Sequence, residues 1–151
     1  MKTIMVFCCI GLTALSSHVS ALTLVSEDKE ISLTTAQLVE QANYTHEMYG
    51  PFRRQTTLFE GFILTDFLKQ QLGVNATSVR FIAFDGYDLT LNNVDQRKLM
   101  LVVKENGEVL TVRNHGPLRL IETDLGGHDP KNISLFDDWV WMIKRIEVVD
   151  E

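Results

Sequence analysis

The stretch Arg113-Asn114-His115-Gly116-Pro117-Leu118-Arg119-Leu120-Ile121, followed after a polar loop by Asp138-Trp139-Val140-Trp141-Met142-Ile143-Lys144-Arg145-Ile146, organises the reading of this chain. Its first half is a Gly-Pro turn running into a short strand in which Leu118 and Leu120 alternate with Arg119. Such turns expose backbone N–H groups, and Arg113 and Arg119 offer planar forks of donors to an anionic or carbonyl-bearing ligand. The second half holds both tryptophans of the chain, two residues apart. A flat heteroaromatic ligand held by stacking and amide-type hydrogen bonds needs little more.

Immediately upstream the chain reads as β. Residues 79–84 and 87–91 flank Asp85-Gly86, and residues 99–104 and 108–112 flank Asn106-Gly107; both dipeptides are strong hairpin signals. Residues 118–121 form the next expected strand and 125–134 a loop. Residues 136–143 are expected to make a helical turn before a last strand over 145–149. Nearer the N-terminus, residues 22–25 read as a strand. Thr34-Thr35-Ala36-Gln37 has capping-box spacing, and Leu38, Val39 and Ala42 give a short helix its apolar face. Residues 44–57, broken at Gly50-Pro51, read as an irregular loop with one or two extended pieces. Phe59-Glu60-Gly61-Phe62 then leads into a second helix, with Leu64, Phe67, Leu68 and Leu72 at helical spacing and Gly73 as its stop. Two early helices followed by largely antiparallel strands predict an α+β domain, with no repeat or linker to divide it.

A chain of 151 residues, 45% of them hydrophobic, can hold one domain with a real core. Its net charge of −6 and lack of a basic stripe argue against a nucleic-acid partner. Lys2, the apolar run from Ile4 to Leu15 and the small residues Val19-Ser20-Ala21 predict a cleavable signal peptide over 1–21. Residues 22–151 then form a single exported domain placed in the periplasm. Cys8 and Cys9 fall inside the leader, so the mature chain has no cysteine, which excludes thiolate catalysis and any cysteine–metal bond.

No serine-hydrolase elbow, zinc-protease motif, phosphate-cradling loop or dinucleotide fingerprint is present. Glu122, Asp124, His128 and Asp129 can be drawn as a metal site, but their spacing matches no defensible motif and a solvated acidic loop is preferred. The tryptophans have two readings. In an extended segment Trp139 and Trp141 share one face, opposite Val140 and Met142; in a helical turn they stand about 200° apart. Either can equally be core.

Phe59-Glu60-Gly61-Phe62-Ile63-Leu64-Thr65-Asp66-Phe67-Leu68, then Ala83-Phe84-Asp85-Gly86-Tyr87, Gly107-Glu108, His115-Gly116-Pro117-Leu118-Arg119-Leu120, and Trp141 through Val148 appear in one order. That order resembles the molybdopterin-binding domain of sulfite-oxidase-type oxidoreductases, and more closely its small exported relatives. The resemblance implies a sulfite-oxidase-type molybdopterin-binding fold with mixed, largely antiparallel sheets and a few short helices. In the redox members a cysteine upstream of the Phe/Trp-x-Gly element ligates molybdenum; the corresponding region here, residues 47–57, has none. One branch of the cysteine-less exported relatives, the PruR-like periplasmic proteins, which bind reduced pterins, is similar to this chain in size and layout. That branch implies a non-catalytic sensor acting on the periplasmic part of an inner-membrane diguanylate cyclase/phosphodiesterase. A reduced pterin of tetrahydropterin type is then the expected ligand, with no molybdenum. Trp141 or Trp139 would be its stacking platform, Arg119 or Arg113 the donor to its carbonyl, and His115, Gly116 and Pro117 a pocket wall. Asp85 and Tyr87 are weaker candidates, since Asp85 also serves as a turn residue. A molybdopterin-dependent oxidoreductase with a non-cysteine metal ligand is the alternative.

Overall fold

A computed structural model describes residues 21–149; all of the predicted leader except Ala21, including Cys8 and Cys9, lies outside the described residues. The described residues form a mixed α+β structure of two largely antiparallel sheets and two α-helices. In chain order it runs β1 (Leu22–Val25), β2 (Glu30–Leu33), α1 (Thr35–Gln41), β3 (Tyr44–Gly50), β4 (Gln55–Ile63) and α2 (Leu64–Leu72). There follow β5 (Ser78–Ala83), β6 (Asp88–Asn92), β7 (Leu99–Glu105), β8 (Glu108–Val109), β9 (Arg119–Glu122) and β10 (Ile143–Val148). The first sheet has the order β2-β1-β10-β5-β6, in which β1 and β10 run parallel with Leu24 opposite Ile146. The second has β3-β4-β7-β8, with β9 sharing the β8 edge of β7.

Strand β7 explains how one stretch serves two cores. Its sequence Leu99-Met100-Leu101-Val102-Val103 is apolar without interruption because both faces are buried. Leu99, Leu101 and Val103 enter the larger cluster with Phe62, Phe67, Phe81 and Ile146. Met100 and Val102 point the other way, toward Phe59, Leu110, Phe136 and Trp139. The second cluster carries the aromatic site described below.

Local chemistry accounts for several elements. Thr34 accepts from the Gln37 N–H at 3.2 Å, and the Gln37 side chain accepts from the Thr34 N–H at 2.9 Å, closing a capping box over α1. Thr34→Ala is expected to cost about 1 kcal/mol, measured as a lowered thermal midpoint; an unchanged midpoint would mean tertiary packing holds the helix unaided. Gly73, with φ of 79°, stops α2 in the left-handed conformation. Asn106 and Gly107 both take positive φ, which the β7–β8 turn requires.

Three expectations need correction. Residues 44–57 are no irregular loop: β3 and β4 pair from Tyr44 opposite Gly61 to Gly50 opposite Gln55. β3 is an edge strand with half-exposed and exposed residues, so it lacks the apolar alternation that would reveal it. The strand expected over 108–112 stops at Val109 and gives way to a 3-10 turn at Val112–Asn114. Residues 136–142 are not helical; the 3-10 turn comes earlier, at Ile133–Leu135. The chain instead runs beside β9, where the Leu120 N–H donates to the Val140 carbonyl at 2.7 Å and the Ile143 N–H to the Leu118 carbonyl at 3.1 Å. Among the described residues no helix is long and apolar enough to cross a membrane.

Candidate functional site

Because the segment before β10 is extended, its side chains alternate. Val140 is fully buried in the larger core, and both tryptophans face the other side. Trp139 is 7% exposed and packs on Phe136, with ring centroids 5.2 Å apart. Trp141 is half-buried and ringed by three partners. Phe52 meets it edge-on at 4.9 Å, the His115 ring lies at 4.6 Å, and the Arg119 guanidinium at 4.8 Å. Phe52 also touches Trp139, at 5.8 Å, so the β3–β4 turn bridges the pair. Edge-on and tilted aromatic pairs and a guanidinium over an indole are favourable geometries in their own right.

A cleft of about 300 Å³ opens on this cluster, lined by Phe52, Phe136, Trp139 and Trp141 with Asp85, Tyr87 and Asp137. The Asp85 carboxylate accepts from the Tyr87 N–H at 3.0 Å, and the Tyr87 hydroxyl donates to the Asp137 carbonyl at 3.3 Å. The cleft thus combines aromatic walls with two carboxylates at its mouth.

Behind it lies a charged triad. Glu105 accepts from Arg53 Nε at 2.8 Å through one oxygen and from Arg119 through the other. The Arg119 side chain is 3% exposed and Glu105 10%. Burial, reinforced by the charge of Arg53, pushes the Arg119 guanidinium down to about 9, so it stays protonated at neutral pH. Two guanidinia around one carboxylate leave the triad with a net positive charge.

Four buried polar atoms in this region have no hydrogen-bond partner among the described residues: Nε1 of Trp139, Nε1 of Trp141, Nε of Arg119 and Nδ1 of His115. Buried polar atoms are normally satisfied, so their concentration beside a cleft marks the place where an ordered water or a ligand would supply partners. His115 and Met142 add left-handed backbones, φ 69° and 56°, and the Met142 N–H donates to the His115 carbonyl at 3.1 Å. Strained residues of this kind cluster at ligand sites.

The expected site residues divide into four places. Trp139, Trp141, Asp85 and Tyr87 line the cleft; His115 and Arg119 back Trp141. Gly116 is buried against Leu110, where a Cβ would come within 2.6 Å of the Leu110 carbonyl carbon, and Pro117 lines a neighbouring groove. Arg113 is exposed and outside the cleft lining. Phe52, Phe136, Asp137, Arg53 and Glu105 escaped sequence reasoning. Arg53 follows a Gly-Pro break, but nothing in the linear pattern joins it to Glu105.

Among the described residues no group of three or more His, Cys, Asp or Glu side chains is placed to hold a metal ion. Glu122 pairs with Arg97, and Asp124 with Lys98; the Gly126 N–H, helped by Lys98, holds the Asp124 carboxyl below its ordinary range. No family model matches the chain, and no curated protein sequence matches it either.

Proposed function

We propose that this chain is a non-catalytic, periplasmic pterin-binding protein, built on a sulfite-oxidase-type molybdopterin-binding fold, that regulates an inner-membrane cyclic di-GMP synthase/phosphodiesterase. The observation that carries the reading is the aromatic cleft with its unpaired indole N–H groups. About 300 Å³ lies at the small end of ligand cavities and suits a bicyclic ring rather than a dinucleotide. A pterin presents a flat face and an amide-like row of donors and acceptors. Trp141, the more exposed of the pair, would be the stacking platform with Trp139 as its buried support, and Asp85 and Asp137 would supply acceptors for an amino group and a ring N–H.

The residues do not fit molybdenum. Residues 47–57, where the family resemblance would place a thiolate, form the β3–β4 hairpin, with Pro51, Phe52, Arg53 and Arg54 in its turn. The one sulfur in that stretch is the Met48 thioether, a neutral and poor replacement for a thiolate, and Phe52 stands against the tryptophan pair. No redox step is therefore assigned. Stoichiometric molybdenum in protein purified from its host would overturn this.

Titration with a tetrahydropterin is expected to quench tryptophan fluorescence. Trp141→Ala should weaken the affinity about 30-fold, the equivalent of roughly 2 kcal/mol. Equal affinities for the parent and Trp141→Ala, or no heat of binding to the parent, would refute the reading.

A further inference from the structure

Beyond the β5–β6 turn lies a second concavity, a groove of about 310 Å³ lined by Phe84, Val109, Leu110, Val112 and Pro117 with two threonines; Ala21, the last residue of the expected leader, also borders it. Phe84, Val109 and Val112 are 45%, 36% and 55% exposed. Single exposed apolar side chains need no explanation, but three converging on one groove do. The groove is also flanked by cations. Arg113 directly follows Val112 in the same 3-10 turn, and Lys144 Nζ lies 6.0 Å over the Phe84 ring. Neither is ion-paired among the described residues, a state they share with Lys29, Arg54, Lys69 and Lys131; what sets these two apart is their place beside an apolar groove. Glu108, next to Val109, faces a polar basin on the other side of β8.

We propose that this groove seats an amphipathic segment of a partner polypeptide, with apolar side chains against Phe84, Val109 and Val112 and carboxylates meeting Arg113 and Lys144. A chain of net charge −6 that leaves cations unpaired around its apolar groove is complementary to an acidic-flanked segment. An anionic bilayer fits less well, since the whole chain is repelled by it and the surface is concave.

The groove is coupled by its backbone to the cleft. One turn lines both: Phe84 faces the groove, while Asp85 and Tyr87 face the cleft. The Phe84 N–H donates to the Met142 carbonyl at 2.8 Å, and Met142 donates in turn to His115, which packs on Trp141. Filling the cleft therefore bears on Phe84 through one residue on one path and through Met142 on the other. The coupling rests on the pterin reading above; the groove assignment does not.

The test begins with a benzophenone amino acid at position 112 of the full chain in its host, with exposed position 90 in β6, outside the groove lining, as control. The expected product is a cross-link, from position 112 and not from 90, to a peptide of another protein bearing apolar and acidic residues. A synthetic copy of that peptide should bind the purified protein, at least 10-fold more weakly to the Arg113→Glu/Lys144→Glu variant. Saturating tetrahydropterin should shift its Kd at least 5-fold. Cross-links to a second copy of this chain, to lipid or equally from both positions would overturn the groove assignment, as would indifference to charge reversal. If the peptide binds and the pterin binds, yet the Kd does not move, the groove stands and the coupling falls. If no pterin binds at all, the functional reading falls while the groove stands.

Discussion

Glu105→Gln is expected to destabilise the fold by about 3–5 kcal/mol, read as a fall in the urea midpoint at unchanged slope. The substitution keeps the shape of the side chain and removes its charge. Arg119, with its side chain 3% exposed, would then face Arg53 with no carboxylate between them. Breaking a buried pair from one side costs more than deleting it, because the remaining charge has neither partner nor water. A double variant, Glu105→Gln with Arg119→Leu, is therefore expected to recover part of the loss. The pH dependence follows the same charge. Arg119 has a folded pKa depressed to about 9, so the unfolded state binds more protons between that pH and the ordinary arginine value. Stability contributed by this group rises with pH across that window, and below about 9 the penalty is constant. A loss under about 1 kcal/mol in the single variant would show the carboxylate to be dispensable.

The second large effect is expected at Gly61. This glycine lies where the β4–β7 register shifts, opposite Val102 and next to Leu101. A Cβ there would overlap the Leu101 carbonyl oxygen and stand 2.9 Å from its carbon and 3.0 Å from the Val102 Cα. All three atoms belong to the backbone of a strand buried on both faces, so nothing can swing aside. Gly61→Ala should cost about 3 kcal/mol or more and strip hydrogen-exchange protection from β4 and β7 together. Gly73→Ala is the comparison: nothing lies within 4 Å of its Cβ, and only the left-handed φ opposes it. That variant should lose about 1 kcal/mol. If the two alanine variants lose the same, close strand approach is not what Gly61 is for.

The same pair of glycines marks how far linear reading goes. Gly73 was legible because a helix stop is a local event, set by four residues and one backbone angle. Gly61 was visible as part of Phe59-Glu60-Gly61-Phe62, yet its reason is a carbonyl forty residues away. The β5–β6 and β7–β8 turns were likewise legible from Asp85-Gly86 and Asn106-Gly107. The β3–β4 hairpin was not, since an edge strand has little apolar pattern to show.

For the site, the sequence by itself determined that two tryptophans stand two apart, that a Gly-Pro turn and Arg119 precede them, and that no cysteine follows the predicted leader. It left open whether the tryptophans share a face. Only the tertiary structure decided that, because the hydrogen bond from Leu120 of β9 that keeps residues 139–141 extended comes from a strand twenty residues away. Only it joined Phe52 to Trp141 and Arg53 to Glu105, contacts that the β3–β4 turn makes with segments far along the chain. Turns and caps are written in neighbouring residues, whereas buried charge pairs and pocket walls depend on which distant segments the core brings together.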